Sequence, residues 1–362
     1  MTELLTIRQA AELAHVTRQT IYTWIQSGKI IPVKTAGGRL RLPKDQLIIP
    51  LAKTQEVQAA ESYPVIDITG WMRDSIEQLG TKEKFWCWGN DSVKYLFKEG
   101  RRGSGENWAE KVASELCVLL GLPHATYDLA ICSHKKGVIT RIFLREEDRL
   151  VLGNELLAEV ELGYEESRRY KQNKHTLGLV LQIMEEEIKN IPMNWQPYGC
   201  MNSAIDVFLG YLMLDAWIAN QDRHHENWAM ILTRDKTTCL APSFDHASSL
   251  GRNESDANRE RILRTRDPAQ HIDRYVERAR SAFYQSPNDR KPLSTLDAFV
   301  IAARKRPKAA NSWLEQLKRV STKDIQGILS KVPKEEISDV AIEFAATILD
   351  LNQRRLLSEG GN

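Results

Sequence analysis

The sequence lacks the features that mark membrane proteins and disulfide-stabilised proteins. It has no apolar run long enough to span a bilayer, and residues 1–5 contain no basic segment followed by a hydrophobic one. Its five cysteines are odd in number and no two form a C-x-x-C pair, which argues against a disulfide framework and a structural zinc site. We therefore expect a cytoplasmic protein with reduced thiols and no membrane partner.

Net charge is also nearly absent, at +2 over 362 residues, but it is unevenly placed. Residues 1–50 hold seven Lys and Arg against three Asp and Glu, so this segment carries +4 and the remainder −2. A small basic segment is typical of a module that binds a polyanion. The length leaves room for an enzyme core beside such a module.

Residues 6–28 predict two short helices joined by a tight turn. Thr6 can cap the first helix because Gln9 stands three residues on, as a capping box requires, and Gly28 can end the second. Residues 29–43 predict two strands about a Gly-Gly turn, which make a basic hairpin. The predicted small core consists of Ala10, Leu13, Val16, Ile21, Trp24 and Ile25.

This segment resembles the excisionase and MerR type of winged helix-turn-helix. The recognition-helix pattern T-x-x-T-I/V-Y-x-W-I-x-x-G is met by Thr17 to Gly28, and the wing pattern G-G-R-x-R-L/I by Gly37 to Leu42. The resemblance implies that the second helix enters the major groove of DNA and that the wing contacts phosphates. The residues implied to contact DNA are Arg18, Gln19, Thr20, Tyr22, Thr23, Arg39 and Arg41. A protein-protein module is the alternative, since its helices would pack in the same way.

A second motif, N-Q-D-R-H-H-E-N, occupies residues 220–227 between a helix-like and a strand-like apolar run. In the kinase template a loop Asp orients the attacking hydroxyl, while an Asn five positions later and a further Asp hold magnesium. Asp222, Asn227 and Asp245 have this order and spacing. Ordinary turn residues are one alternative. Another is a metal cluster of His224, His225, Glu226 and His246.

Upstream, residues 85–98 predict two antiparallel strands, followed by a basic glycine loop and a helix. A kinase needs a strand lysine at the nucleotide phosphates and a helix glutamate that pairs with it. The candidates are Lys98 and Glu110, and the alternatives are Lys94 and Glu115.

Together, these motifs resemble those of the HipA-like serine/threonine kinases, whose catalytic loop reads N-x-D-R-H-x-x-N. The segments that carry the resemblance are K-Y-L-F-K, E-N-W-A-E-K-V-A-S-E-L-C-V-L-L-G-L-P, N-Q-D-R-H-H-E-N-W and F-D. The resemblance runs from about residue 65 to the C-terminus. It implies an α+β, two-lobed protein-kinase-like fold, here preceded by a small winged helix-turn-helix domain. It also implies ATP and magnesium as cofactors, a protein substrate phosphorylated on Ser or Thr, and a toxin-type role with an antitoxin partner, or autoregulation of its own operon.

Carried over residue by residue, the resemblance makes Asp222 the catalytic base and lets Lys98, paired with Glu110, hold the α- and β-phosphates. The remaining implied residues are Asn227 and Asp245 as magnesium ligands and Gly80 and Thr81 in the loop over the phosphates. The sequence departs from ordinary eukaryotic kinases in having D-H-A where they have D-F-G, and it shows no A-P-E segment. No control by an activation loop is therefore inferred.

The predicted domains are a winged helix-turn-helix at 1–50, a linker at 51–64, a kinase N-lobe at 65–145 and a mostly helical C-lobe at 146–362. Two other functions fit the residues: a transcriptional regulator whose kinase-like domain senses nucleotide, and a phosphoinositide-type lipid kinase, which can use a similar D-R-H-x-x-N loop. Because a single winged module makes few phosphate contacts, we also expect a homodimer or partner-assisted binding to DNA.

Overall fold

The chain divides into two units, residues 1–59 and 60–362, in a computed structural model. The structure describes residues 4–13, 21, 25, 30–35, 40–43, 62–76 and 84–360. Of the residues predicted to contact DNA, Arg41 lies within these ranges. The others, together with Gly80 and Thr81, lie outside the described residues.

The first unit contains a small antiparallel sheet and a capped helix. Its described elements are β1 (Leu4–Leu5), α1 (Ile7–Leu13), β2 (Val33–Lys34) and β3 (Leu40–Pro43). The Gln9 N–H donates to Thr6 Oγ1 at 3.2 Å and the Thr6 N–H donates to Gln9 Oε1 at 3.0 Å, so the predicted capping box is confirmed. The predicted hairpin is also confirmed, since β2 pairs with β3 and places Val33 opposite Arg41. The strand order is β1-β3-β2, and β1 was not predicted.

The core of this unit is small and apolar. Ala10 and Ile21 are buried, and Ile25 is half-buried, as the periodicity predicts. Three residues outside the predicted set, from β1, β3 and the segment before β2, complete it: Leu5, Ile30 and Leu42. The side chain of Leu13 and all of Val16 and Trp24 lie outside the described residues.

The second unit begins with a six-stranded sheet. Its strands are β4 (Val65–Asp67), β5 (Met72–Ile76), β6 (Lys84–Trp88), β7 (Lys94–Glu99), β8 (Tyr127–Cys132) and β9 (Lys135–Arg141). The order is β4-β8-β9-β7-β6-β5, in which β4 and β8 are parallel and the other pairs antiparallel. Strands β5, β6 and β7 form a meander, and α2 (Glu106–Leu120) connects β7 to β8.

The alternation of side chains along β6 and β7 separates two environments. Phe85, Cys87 and Phe97 are buried in a core on one face of the sheet. Because successive residues of a strand point to opposite faces, Leu96 and Lys98 belong to the other face. This register decides which strand residues can reach a ligand.

The remainder of the second unit is mostly helical, with a three-stranded antiparallel sheet. The strands, in the order β10-β11-β12, are β10 (Arg149–Leu152), β11 (Ala229–Leu232) and β12 (Thr238–Leu240). The helices are α3 (Gly153–Val160), α4 (Leu177–Glu186), α5 (Ala204–Trp217), α6 (Asp256–Arg264), α7 (Ile272–Glu277), α8 (Thr295–Lys305), α9 (Pro307–Arg319), α10 (Thr322–Leu329) and α11 (Asp339–Glu359).

Helix α5 is the centre of this helical part. Every one of its residues is buried, which explains why it is apolar on all sides rather than along one stripe. It packs against α4, α8, α9 and α11, and it ends at Trp217, shortly before the motif of residues 220–227. A fully buried helix therefore positions the loop. Across the described residues, no helix is long and apolar enough to cross a membrane.

Gly210 in α5 provides a test of this packing. Replacing a helix glycine by alanine usually stabilises a protein by about 0.5–1 kcal/mol, but a Cβ at Gly210 would come within 2.5–2.9 Å of the Trp313 indole. The indole cannot easily move, because its Nε1–H donates to Asp206 O at 2.8 Å. We expect Gly210→Ala to lower the free energy of unfolding by about 1–3 kcal/mol, measured by urea denaturation.

The matched control is Gly327→Ala in α10, where a new Cβ would meet nothing within 4 Å. This variant should raise the free energy of unfolding by up to about 1 kcal/mol. If both variants stabilise the protein, the close packing of α5 against Trp313 is wrong.

Candidate active site

A cleft of about 430 Å³ in the second unit is lined by both the six-stranded sheet and the helical part. Its polar end contains Lys98, Asp222, Asn227 and Asp245, four of the residues that the sequence singled out. Its apolar walls are formed by Trp86, Leu96, Ile142, Phe143, Leu144, Leu150, Leu152 and Phe244. A depression of similar volume near the C-terminus holds none of the predicted site residues; its lining is Asn311, Leu314, Glu315, Lys318 and Leu357.

Lys98 is the ionic centre of the polar end. Its Nζ lies 2.8 Å from Asp245 Oδ1 and 3.4 Å from Glu110 Oε2, and the residue is only 8% exposed. Burial by itself would lower the pKa of Lys98, but Asp245, Tyr127 and Glu110 more than offset it and hold this pKa well above its ordinary value. The alternative lysine, Lys94, pairs with Asp74 at the surface. Lys98 is thus the strand lysine that reaches the cleft.

Glu110 connects Lys98 to the segment that contains Asp245. It is 1% exposed, and its Oε1 accepts a hydrogen bond from the His246 N–H at 2.7 Å. Burial would raise the pKa of Glu110, but Lys98 and the His246 hydrogen bond outweigh it, so this pKa is lowered. The alternative glutamate, Glu115, instead accepts from Lys111 Nζ at 2.6 Å.

Asp245 adopts a left-handed backbone conformation with φ = 58°. Asp tolerates this region better than bulkier residues, and such conformations concentrate at functional sites. Its N–H donates to the Tyr127 hydroxyl at 3.3 Å. The turn presents the carboxylate to Lys98 while the next residue, His246, faces inward at 0% exposure.

Asp222 and Asn227 lie in the loop that follows α5. Asn227 Nδ2 donates to Asp222 O at 2.6 Å, which links the two residues across the loop. The amide oxygen of Asn227 is left as an acceptor. The Asp222 side chain remains 28% exposed at the cleft. Burial raises the pKa of Asp222; His224 opposes this shift, and Asp245 adds to it.

A buried arginine holds this loop in place, although the sequence analysis assigned it no role. Arg223 is 1% exposed and grips the Asp215 carboxylate with two nitrogens, Nε and Nη2, the second at 2.7 Å. It also donates to Asn227 O at 3.0 Å and to Ser243 Oγ at 3.1 Å. Ser243 Oγ lies 2.7 Å from His246 Nε2, so the network continues to the segment of Asp245. The sequence signal for this contact was Asp215, an acidic residue in the last turn of the apolar helix α5.

The histidines near the loop are committed to other partners. His225 Nδ1 lies 2.6 Å from the Tyr164 hydroxyl, and His224 Nδ1 accepts from the Glu226 N–H at 3.1 Å. Over the described ranges, no group of three or more His, Cys, Asp or Glu residues is arranged to hold a metal ion. The alternative of a His224, His225, Glu226 and His246 metal cluster therefore gains no support.

Residues 4–48 match the family model described as a helix-turn-helix domain. No curated protein matches the chain in sequence. Among solved structures, the chain is similar to the proinflammatory kinase CtkA of Helicobacter pylori, with a TM-score of 0.63, 20% identity, and coverage of 82% of this chain and 97% of that one.

The second unit has a protein-kinase-like fold. This assignment rests on the similarity to CtkA. It confirms the predicted α+β kinase-like fold, which the helix-turn-helix domain precedes in the sequence. Two further likenesses have TM-scores below 0.5 and add no argument. HipA of Shewanella oneidensis MR-1, solved with HipB and operator DNA, gives 0.48 at 14% identity over 92% of this chain and 74% of that one. The Golgi casein kinase with Mn/ADP bound has a TM-score of 0.36 and 14% identity, and the match covers 87% of this chain and 78% of that one.

Behind the loop of residues 220–227, His175 is buried as a neutral ring. Its Nδ1 lies 3.0 Å from Ala282 O, and its Nε2 accepts from Trp228 Nε1 at 3.2 Å, so Nδ1 carries the hydrogen. Burial lowers the pKa of His175 to about 3, and burial likewise lowers that of His225 to about 4. Protonation of either ring would place a charge in the core.

This arrangement predicts a loss of stability in acid. The pKa of His175 is depressed in the folded state, so its contribution is complete above the unfolded value near 6.5 and is lost as pH falls toward 3. His175→Gln keeps a donor and an acceptor but cannot titrate. Between pH 6.5 and 5, we expect the wild type to lose about 2 kcal/mol more of its free energy of unfolding than this variant. Equal losses in urea titrations at the two pH values would contradict the buried neutral ring.

Proposed function

We propose that the second unit is an ATP- and magnesium-dependent protein kinase that phosphorylates serine or threonine. The observation that carries this proposal is the contact of Lys98 with both Glu110 and Asp245 at one end of a cleft that also presents Asp222. A structural ion pair alone would not need a catalytic-loop carboxylate exposed beside it. The proposed lobes are residues 65–145 and 146–362.

The two ends of the cleft suit the two halves of ATP. The apolar walls favour a flat heteroaromatic base, and the backbone at Phe143 and Leu144, which line the cleft, would pair with its edge. Lys98 is a buried cation that Glu110 holds in place, as the α- and β-phosphates require. Gly80 and Thr81 are proposed for the loop over the phosphates.

Asp245 and Asn227 would hold magnesium, as the motif resemblance implies. A carboxylate and an amide oxygen are hard donors of the kind that Mg²⁺ prefers, and the Asn227 amide oxygen is left as an acceptor by the bond that its Nδ2 makes. When bound, the ion neutralises the charge of the phosphates. These residues therefore fit the metal.

Asp222 would orient the acceptor hydroxyl and take its proton. It is the cleft carboxylate that no lysine or arginine neutralises directly among the described residues, and it accepts a hydrogen bond from Ser248 Oγ at 3.3 Å. A base must be ionised, so activity falls as pH drops through its pKa, which burial raises from its ordinary value. Its partial exposure leaves access for a substrate side chain.

The test is phosphate transfer from labelled ATP with magnesium, scored as autophosphorylation and on a generic protein acceptor. Asp222→Asn should lower the rate by about a hundredfold or more, since a positioned base contributes at least that much. Lys98→Met should also abolish labelling. Lys94→Met is the matched control, because Lys94 lies on the same strand and pairs with Asp74 outside the cleft; it should label like the wild type.

The outcomes separate the alternative functions. If the wild type binds ATP but labels no protein, the unit is better described as a nucleotide sensor of a DNA-binding regulator. If it labels a phosphoinositide and not the protein acceptor, it is a lipid kinase. If Lys94→Met fails and Lys98→Met works, the assignment of the strand lysine is wrong.

For the first unit we propose DNA binding through residues 1–50, supported by the helix-turn-helix match and the charge of +4 in this segment. Arg41 lies on β3 opposite Val33, in the basic hairpin, where a wing would meet phosphates. A toxin-type or autoregulatory role, with an antitoxin or a second copy of the chain assisting DNA binding, follows from the motif resemblance.

Arg41→Gln tests the wing. Loss of one phosphate contact should weaken binding to all duplex sequences alike and reduce the slope of log K against log[salt] by about one. The measurement is fluorescence anisotropy of a generic labelled duplex at several salt concentrations. Lys136→Gln, which breaks a pair with Glu336 in the second unit, is the control. An unchanged salt slope for Arg41→Gln would exclude the predicted wing contact.

A further inference from the structure

Helix α2 carries a second buried carboxylate one turn before Glu110. Glu106 is 3% exposed, and residues four apart in a helix lie on the same face. Its Oε2 accepts from the Arg101 N–H at 3.1 Å, and its Oε1 accepts from Arg252 Nη1. Neither the motif resemblance nor the lysine contact gives Glu106 a role.

Arg252 extends from Glu106 toward the catalytic-loop motif. While Nη1 donates to Glu106, Nη2 donates to Ser248 Oγ at 2.9 Å. Ser248 Oγ in turn donates its one hydrogen to Asp222 Oδ2 at 3.3 Å. The four side chains form a continuous polar path from the first turn of α2 to the carboxylate at the cleft.

The backbone docks at the same point. The Gly105 N–H, at the start of α2, donates to Arg252 O at 3.0 Å. The turn that delivers Arg252 passes through left-handed conformations at Leu250 (φ = 56°) and Gly251 (φ = 68°). A non-glycine residue is held in that conformation only where its surroundings determine it. Backbone contacts as well as side-chain hydrogen bonds therefore fix the path from α2 to Asp222.

We propose that Glu106, Arg252 and Ser248 are positioning residues for Asp222, so that α2 sets the catalytic base as well as the phosphate-binding lysine. This inference rests on the proposed kinase function. Glu110 would govern Lys98 and Asp245, and Glu106 would govern Asp222. A displacement of α2 would then disable both halves of the site together.

The energetics favour a positioning role over simple stabilisation. A buried arginine–carboxylate pair is weak support for stability, because the desolvation of both ions offsets their attraction. The path instead ends on the side chain of Asp222, where Ser248 Oγ donates to Oδ2 at 3.3 Å and so orients the carboxylate. Its removal should therefore disturb the Asp222 side chain and slow the chemical step, which a purely structural role would not.

The first experiment observes the Asp222 carboxyl directly, by NMR at one fixed pH of the full chain labelled with ¹³C at the aspartate carboxyls. The Asp222 signal is assigned by its loss in Asp222→Asn. Ser248→Ala, which removes only a hydroxyl, should shift this signal because the hydrogen bond to Oδ2 is lost, and Arg252→Gln should shift it as well. Glu106→Gln should also shift it, although Glu106 does not touch Asp222, because Arg252 loses the carboxylate that orients it.

The same variants are then compared in phosphate transfer. Arg252→Gln and Glu106→Gln should lower kcat by about tenfold with KM for ATP within about twofold, because a misplaced base slows the chemical step. Arg306→Gln is the control: it breaks a comparable contact with the buried Asp206, at 2.9 Å, and should leave both kcat and the Asp222 signal unchanged.

The results distinguish this inference from the proposed function. An unchanged Asp222 signal in both Arg252→Gln and Glu106→Gln would overturn the positioning role, whatever the activity. A shifted signal in these variants, with none in Arg306→Gln, would support it even if the wild type transfers no phosphate, and in that case only the kinase function would fail. Ser248→Ala keeps the test open if a charge-removing variant does not fold.

Discussion

The structure of the site depends on one buried cation. Lys98 lies between Glu110 and Asp245 in a nearly closed environment, where an unpaired ammonium would be very costly. Its two carboxylates come from distant elements, α2 and the turn after β12. Their need for a common counter-ion therefore holds the sheet, the helix and the turn in one arrangement. That arrangement places Asp222 at the same end of the cleft.

A second buried charge supports the first. Arg223 holds the loop through Asp215 and Asn227, and its bond to Ser243 leads through His246 to Glu110. The residue after Asp245 is the buried His246, and its N–H donates to Glu110, so polar contacts link this turn to α2. Such networks are directional, so they specify a unique geometry at the cost of desolvation.

This arrangement makes α2 the element on which the proposed chemistry converges. Its two carboxylates nearest the cleft, Glu106 and Glu110, are four residues apart, and they contact Arg252 and Lys98 respectively. A helix is rigid over one turn, so the two contacts cannot adjust independently. The basic loop before α2, which composition alone suggests is flexible, is fixed by Glu106 through Arg101 and by Arg252 through Gly105.

The sequence by itself determined the local elements and the order of the motif residues. Capping at Thr6, the apolar helix before residue 220 and the spacing of Asp222, Asn227 and Asp245 are short-range properties, because they depend on neighbours in the chain. Only the tertiary structure decided between Lys98 and Lys94, which share a strand face, and between Glu110 and Glu115, which share a helix. It also revealed the contacts that Asp215 makes with Arg223, and those that Ser248 and Arg252 make between Asp222 and Glu106. Burial and long-range contacts select among these equivalent residue types, and neither is encoded in local periodicity.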